Sequence, residues 1–287
     1  MQTITRKRYL DTLSVLKDKN LIKVATGVRR CGKSTLMTQF QELIRKENSK
    51  SPILAINMDM PEFRFLAEKN WKEIYDYIIK RLKKNVTNYV FIDEVQNVVE
   101  FEKLLEGLYV HPNVDLYVTG SNAFLLSSEL ATLLTGRAYE INVLPFSFVE
   151  YLEFTGKTAN PDRAFAEYAR TGGFPEAVRL SEEGNHYANE YLQMVFKNIY
   201  ENDISKRHII YGEESYQEVV NFLIDSVGSS VSAGNISKVL TANKKKIPFQ
   251  LAASSTSTGT DTDAFAYSNG GVPSVLISLP LKYMHTT

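Results

Sequence analysis

The chain has 287 residues, enough for one large or two ordinary domains with a sizeable buried core. Its 33 Lys and Arg residues balance 33 Asp and Glu residues, so no whole-molecule charge draws it to nucleic acid or to a membrane. The one cysteine, Cys31, excludes an internal disulfide and a cysteine-rich metal site. Because we find no signal-peptide core and no run of about 18 apolar residues, we expect a soluble, cytoplasmic protein without membrane contact.

Residues 6–19 predict the first helix, because four apolar side chains recur at helical spacing between charged ones. The helix begins with a basic run formed by Arg6, Lys7 and Arg8. Such a run either contacts a polyanion or forms a solvated helix face. The solvated face is the more common outcome, and we favour it here.

A phosphate-binding motif follows the next predicted strand, residues 21–26. The stretch from Gly27 to Ser34 fits G-x-x-x-x-G-K-[ST], and the residues after it continue as a helix, which is the context that the motif requires. We therefore predict a nucleotide site formed by Gly27, Val28, Arg29, Arg30, Cys31, Gly32, Lys33, Ser34 and Thr35. The Cys31 thiol either senses redox state or fills a variable small position, and we favour the second because nothing else indicates redox chemistry.

The residue types in this motif indicate how it would bind phosphate. Gly27 and Gly32 lack a Cβ, so the backbone can turn sharply and direct successive N–H groups at phosphate oxygens near a helix N-terminus. The Lys33 ammonium would reach the β and γ phosphates. The Ser34 hydroxyl would ligate Mg²⁺. The motif therefore predicts ATP and Mg²⁺ as ligands.

Two acidic residues end a later strand. After a predicted strand at residues 52–57 and a helix at 71–82, the apolar stretch 89–94 ends in Asp93 and Glu94. A carboxylate at the end of a buried strand, about 60 residues after a P-loop, can hold the Mg²⁺ shell, which is the role that we predict for Asp93. Glu94 would then orient or deprotonate the attacking water as a general base.

Three further polar residues are candidates for the catalytic site. Ser121 and Asn122 follow a predicted strand at residues 114–119, where they would sense the γ-phosphate, cap the helix that begins at Ala123, or do both. Arg137 precedes a fifth predicted strand, at residues 138–143. It could stabilise transition-state charge in its own subunit or in a neighbour, but a structural ion pair is the more frequent role for such an arginine.

Strands and helices alternate through residues 1–145, which predicts an α/β P-loop domain with a parallel sheet flanked by helices. From residue 146 to residue 243 the pattern becomes largely helical, with apolar positions at helical spacing. We predict helices there at residues 148–154, 163–170, 187–200, 216–227 and 232–242. The last two resemble the first two helices of a winged helix, but the expected DNA-reading helix does not follow.

Several of these motifs together resemble the prokaryotic AAA-family ATPases, in which a P-loop domain precedes a helical region, a winged helix and a nuclease-like domain. The motifs are GVRRCGKSTL, YVFIDEVQNV, LYVTGSNAFLLS, LTGRAYEINVLPFSFVEYL and TGGFPEAV, and the resemblance covers about residues 1–243. It implies an additional strand between the P-loop strand and the strand that ends in Asp93. It also implies that Asp93 and Glu94 form the Walker B pair and that Ser121 and Asn122 occupy the sensor position.

The tail, residues 244–287, has a different composition and a second resemblance. From Ile247 it is similar to the carboxyl-terminal piece of the dinuclear-metal aminopeptidases of the glutamyl or deblocking type. That resemblance implies a metal ligand at His285, but the segment that would supply the other ligands of such a site is missing. We interpret the chain as a truncated ATPase joined to a peptidase fragment by genomic rearrangement or an assembly error. We expect the tail, with its apolar stretch at residues 272–279, to be poorly ordered.

Four classes of function fit parts of the sequence. We favour Mg-dependent ATP hydrolysis, because the adjacent acids and the sensor position suit water activation. A small-molecule kinase would need an acceptor pocket and a lid besides the P-loop. A nucleotide switch or a nucleic-acid-associated module without efficient hydrolysis is the alternative, supported by the basic runs at residues 6–8 and 244–246. Aminopeptidase activity is not expected. A contact of the helical region with DNA or a protein, and a homo-oligomer, stay open.

Overall fold

The computed structural model describes residues 4–67, 70–120, 136–201, 213–226, 231–232 and 234–236. Its centre is a sheet of five parallel strands in the order β2-β3-β4-β1-β5. The strands are β1 (Ile22–Thr26), β2 (Ile53–Asn57), β3 (Asn88–Asp93), β4 (Val114–Thr119) and β5 (Ala138–Asn142). Since all five run the same way, their carboxyl ends form one edge of the sheet, which we call the carboxyl edge. The opposite edge is the amino edge.

Helices cover both faces of the sheet. They are α1 (Lys7–Leu16), α2 (Lys33–Glu47), α3 (Pro61–Ala67), α4 (Trp71–Ile79) and α5 (Phe101–Tyr109), and a short 3₁₀ turn covers Val95–Asn97. Alternating side chains of the strands point to opposite faces. Phe91 and Tyr117 pack with Phe40 of α2 on one face, whereas Val90 and Val118 pack with the apolar sides of α4 and α5 on the other. The sheet is therefore buried on both sides, as parallel sheets are.

A helical region follows the sheet, as predicted. It contains α6 (Phe148–Thr155), α7 (Pro161–Thr171), α8 (Pro175–Glu183), α9 (Asn185–Ile199) and α10 (Glu213–Asp225). A third apolar cluster joins this region to the N-terminal segment, since Ile4 packs with Phe146, Tyr151 and Val178. The chain divides into two compact units between Lys197 and Asn198, so the sheet and the helices up to most of α9 belong to one unit. The predicted domain limits at residues 145 and 243 stay predictions.

The sequence predicted all five strands to within one residue at either end. The additional strand that the resemblance implied is β4, which lies between β1 and β3. Several predictions fall outside the described residues: the sensor pair Ser121 and Asn122, the helix after them, most of the second winged-helix helix, and the whole tail with His285. In the described part of the chain, no helix is long and apolar enough to cross a membrane.

A buried charged network lies at the amino edge. The Lys23 side chain of β1 is fully buried and pairs with Asp115 of β4, and its Nζ also donates to the Lys19 carbonyl at 2.7 Å. Asp115 accepts two more hydrogen bonds through Oδ2, from the Asp18 N–H at 2.8 Å and from the Tyr117 hydroxyl at 2.7 Å. Burial, reinforced by the Asp115 charge, raises the pKa of Tyr117 above its ordinary value. The network joins β1, β4 and the α1–β1 connection far from the P-loop.

Candidate nucleotide-binding site

The P-loop lies at the carboxyl edge, between the end of β1 and the start of α2. Three of its residues have left-handed backbone: Gly27 at φ 147°, Arg30 at φ 67° and Gly32 at φ 102°. Gly32 directly precedes the first turn of α2, where unpaired backbone N–H groups and the helix dipole favour an anion. The sequence motif therefore forms the turn into a helix that phosphate binding requires.

The Lys33 ammonium is turned onto its own loop. Nζ donates to the carbonyl oxygen of Gly27 at 2.9 Å and to that of Val28 at 3.1 Å, and the residue is only 4% exposed. Ser34 and Thr35, by contrast, are exposed on the first turn of α2. The Lys33 charge is therefore held at the phosphate cradle by two carbonyls, which phosphate oxygens can replace as partners.

Thr119 joins the two acidic residues at the same edge. Asp93 ends β3, and β4 ends at Thr119 beside both β3 and β1. The Thr119 hydroxyl donates to Asp93 Oδ1 and accepts the Glu94 N–H at 3.0 Å. Thr119 is also the register partner of Ala25, two residues before the P-loop. The predicted acids therefore lie at the edge where the P-loop begins, with a threonine that the sequence analysis missed.

Glu94 is held by a second residue that the sequence analysis missed. This residue is Gln96, whose side-chain amide donates a hydrogen bond to Glu94 Oε2. Glu94 itself has left-handed backbone, with φ 55°. The carbonyl Oε1 of Gln96 is buried and has no hydrogen-bond partner among the described residues. A buried acceptor without a partner costs about 1–3 kcal/mol, and the bond to Glu94 is the one hydrogen bond that the Gln96 side chain makes among the described residues.

The structure places Arg137 away from the P-loop. Its carbonyl accepts the Ile22 N–H at the amino edge, which lies roughly 15 Å from the carboxyl edge at about 3.3 Å per residue of β1. Its side chain lies over the Tyr109 ring and 3.8 Å from Glu106 Oε1. A catalytic role in its own subunit is therefore wrong for this arrangement, and the exposed ion pair is what we observe. A role in a neighbouring subunit stays a prediction.

Two further observations correct or complete the predictions for the P-loop. Arg6 does not belong to a solvated face, because it is 4% exposed and its Nη1 donates to the Cys31 carbonyl at 3.2 Å. The Cys31 side chain is fully buried, and burial raises the pKa of its thiol despite the opposing charges of Lys33 and Arg6. A thiol with a raised pKa is a weak nucleophile, which agrees with a packing role.

The helical region also contacts the P-loop. A Cβ built on Gly32 would lie 3.9 Å from Cγ of Pro175, the first residue of α8. The Arg30 guanidinium lies over the ring of Tyr191 in α9, 5.4 Å from its centroid. The TGGFPEAV motif and α9 therefore lie beside the P-loop.

We predict that Gly27→Ala destabilises the fold, because the new Cβ would lie 2.2 Å from the Val143 carbonyl oxygen and 2.9 Å from Cys31 Sγ. Overpacking combined with a left-handed alanine should lower the free energy of unfolding by about 2–4 kcal/mol, measured by urea unfolding. Gly156→Ala is the matched control. Gly156 also has positive φ, at 69°, but its Cβ would meet no described atom within 4 Å, so we expect a loss of only about 1 kcal/mol. Equal losses for both variants would contradict the prediction.

This geometry is that of a P-loop nucleotide-binding domain, and sequence comparisons define the class further. Residues 19–152 match the AAA domain family and carry a P-loop domain of the AAA class. Residues 162–249 match a domain family of unknown function, and residues 230–287 match the M42 glutamyl aminopeptidase family. The last two matches overlap over residues 230–249, which include the predicted junction. The tail resemblance is thereby confirmed.

Curated relatives extend the match beyond the AAA domain. An uncharacterized protein of Haemophilus influenzae is 35% identical over 246 residues, which are 84% of this chain and 60% of that protein. An uncharacterized protein of Methanocaldococcus jannaschii is 29% identical over 240 residues, 79% of this chain and 52% of that protein. The chain thus spans little more than half the length of these relatives.

Two similar solved structures share low sequence identity with this chain. The Aeropyrum pernix ORC1 protein in complex with DNA has a TM-score of 0.40 and 11% identity, covering 85% of this chain and 84% of that one. C. elegans PCH-2 has a TM-score of 0.38 and 24% identity, covering 57% of this chain and 46% of that one.

In the part of the chain that the structure describes, no cluster of three or more His, Cys, Asp or Glu side chains could hold a metal ion.

Proposed function

We propose that this chain binds ATP with Mg²⁺ at the P-loop and hydrolyses it, with Glu94 as the base that activates water. The observation that carries the proposal is the meeting of the P-loop, Asp93 and Glu94 at one edge of the sheet, where Thr119 contacts both acids. A carboxylate next to a phosphate cradle can accept the proton of an attacking water.

The residues at this edge suit Mg²⁺. Ser34 offers an exposed hydroxyl on the first turn of α2, and Asp93 offers a carboxylate, both of which are hard oxygen donors. When bound, Mg²⁺ neutralises charge on the phosphates. The Lys33 ammonium adds a positive charge at the P-loop. It donates hydrogen bonds to two carbonyl oxygens of the loop, and phosphate oxygens would replace these as its partners.

A nucleotide switch without efficient hydrolysis is the second candidate. It is supported by the contact of the Gln96 amide with Glu94 Oε2, since a carboxylate that accepts this bond has one oxygen fewer to offer a water molecule. Contact of the helical region with DNA or a protein, and self-association, stay predictions.

Titration calorimetry of the full chain with ATP, with and without Mg²⁺, tests the binding step. We expect Lys33→Met to weaken Mg-ATP binding at least about tenfold, because a charge-assisted contact to the phosphates contributes about 1.5–3 kcal/mol. Lys46→Met is the matched control, because Lys46 is exposed near the other end of the same helix and should leave the affinity within about twofold.

Two outcomes would contradict the binding step. Wild-type protein that does not bind Mg-ATP would overturn the proposed function. Equal weakening by the two lysine substitutions would show that binding reflects overall charge rather than this loop. A measurement of phosphate release then separates hydrolysis from the switch.

A further inference from the structure

Arg6 is a buried cation that contacts the P-loop from the N-terminal side. Its Nη1 donates to the carbonyl oxygen of Cys31 at 3.2 Å and to that of Leu144 at 2.9 Å. The guanidinium also lies over the rings of Tyr9 and Phe146, 4.6 Å and 5.5 Å from their centroids. One side chain thus connects the N-terminal segment, the P-loop and the connection between β5 and α6.

Glu150 fixes the orientation of this guanidinium. Nε and Nη2 of Arg6 donate to its two carboxylate oxygens at 2.8 Å and 3.0 Å, a bidentate pair. Glu150 also accepts the Ser147 N–H at 2.8 Å and completes a capping box at the start of α6. Burial alone would raise the pKa of Glu150, but the hydrogen bonds from Arg6 and Ser147 hold it below its ordinary value. Glu150 is therefore ionised at neutral pH when it pairs with Arg6.

The bond from Arg6 determines which way the next peptide N–H points. In a trans peptide plane the carbonyl and the following N–H point in opposite directions. A Cys31 carbonyl held by Arg6 therefore turns the Gly32 N–H away from Arg6. In a P-loop, the N–H groups that point inward bind phosphate oxygens, whereas an inward carbonyl would repel them.

We propose that Arg6 is a positioning residue for phosphate binding, which fixes the Cys31–Gly32 peptide with its N–H directed into the phosphate cradle while Glu150 holds Arg6 in place. The inference rests on the nucleotide site proposed above. A purely stabilising ion pair is the competing explanation. In a buried ion pair, however, the cost of desolvation offsets much of the attraction, so the pair alone is a weak source of stability. The Nη1 donor of Arg6 also bonds a P-loop carbonyl oxygen and not Glu150, which a purely stabilising pair does not require.

The test uses the full chain with two probes, Mg-ATP and inorganic tripolyphosphate, since the latter contacts only the cradle. We expect Arg6→Lys to weaken both about tenfold or more, because an ammonium keeps the charge but cannot bond Glu150 and two carbonyls with the geometry of a guanidinium. Arg8→Lys is the matched control at an exposed position two residues away, and both affinities should stay within about twofold.

A second variant and a kinetic measurement separate positioning from folding. Glu150→Gln leaves Arg6 in place with a weaker partner, so we expect about threefold weaker binding. Where the chain turns over ATP, Arg6→Lys should raise KM and leave kcat within about threefold, since the lost contact is made in the ground state as well as in the transition state. Urea unfolding establishes that each variant is folded at the temperature of the assay.

Each result either supports or overturns the inference. Wild-type affinity of folded Arg6→Lys for tripolyphosphate would overturn it while leaving the proposed function intact. A fall in kcat at unchanged KM would also overturn it. If Arg6→Lys does not fold, unchanged binding by Glu150→Gln overturns it instead. Failure of the wild type to bind Mg-ATP would overturn the proposed function, and this inference with it.

Discussion

Phosphate release by Glu94→Gln is expected to fall at least about 100-fold below the wild-type rate, while Mg-ATP affinity stays within about twofold. The amide has the size of the carboxylate but cannot take a proton from water. Its carbonyl oxygen can still accept the Gln96 amide, and the Glu94 N–H bond to Thr119 belongs to the backbone. The substitution therefore removes the base and preserves the site around it. Phosphate release under single-turnover conditions, paired with calorimetric binding, is the measurement.

Glu62→Gln is the matched control for this experiment, because Glu62 is an exposed carboxylate of α3 and undergoes the same chemical change. Its rate should equal that of the wild type. Turnover by Glu94→Gln near the wild-type rate would show that Glu94 is not the base. If the wild type and Glu94→Gln both bind Mg-ATP but neither hydrolyses it, the nucleotide switch replaces hydrolysis as the function of this site.

The three central strands, β1, β3 and β4, could be predicted because nearly all of their side chains are buried. Apolar runs bounded by polar or turn residues are a strong signal, and the P-loop motif anchors the first of them. The edge strands β2 and β5 are mostly half-buried or exposed, and their position in the strand and helix alternation is what indicated them. The predicted end of β3 differs by one residue, since Glu94 lies beyond the strand in left-handed backbone. The direction of the Glu94 side chain is therefore set by this turn and not by the alternation of side chains along a strand. The sequence contains no signal for the turn.

Three helices, α3, α5 and α8, were not predicted, and for two of them the residues that weaken the helical signal have a structural use. Gly107 lies inside α5, where a Cβ would be 3.1 Å from the Tyr75 ring of α4, so the glycine permits close packing. Pro175 reads as a helix breaker after two glycines, yet it occupies the first turn of α8, where proline is favoured. A Cβ on Gly173 would lie 2.2 Å from the Phe146 carbonyl oxygen. Tertiary contact, which local pattern does not carry, explains Gly107 and Gly173, whereas Pro175 at the start of α8 is a helix-start signal that the sequence analysis did not use.

The site was predictable in its motif residues and not in the residues that orient them. Thr119 ends a buried strand beside the P-loop, so the rule that selected Ser121 and Asn122 could also have selected it. Arg6 offered no such signal, because its partner Glu150 is 144 positions away and the neighbouring basic residues are exposed. A basic run at the start of an amphipathic helix looks solvated until the fold brings an acid to one of its members.

Lys23→Met is expected to lower the free energy of unfolding by about 3–5 kcal/mol, the largest stability effect that we predict. The substitution leaves Asp115, itself 3% exposed, as an unpaired charge between β1 and β4. It also removes the donor to the Lys19 carbonyl. Urea unfolding followed by the fluorescence of Trp71 reports this loss directly, because Trp71 is the only tryptophan of the sequence and packs against the apolar core of the sheet.

Removal of both charges distinguishes an unpaired charge from lost packing. In Lys23→Met/Asp115→Asn, the amide oxygen at position 115 can still accept from the Asp18 N–H and the Tyr117 hydroxyl, so we expect the double variant to recover at least about 2 kcal/mol of the loss. Lys46→Met, at an exposed position, should change stability by less than about 0.5 kcal/mol. A double variant no more stable than Lys23→Met alone would show that the fold depends on the Lys23 side chain rather than on neutralisation of the Asp115 charge.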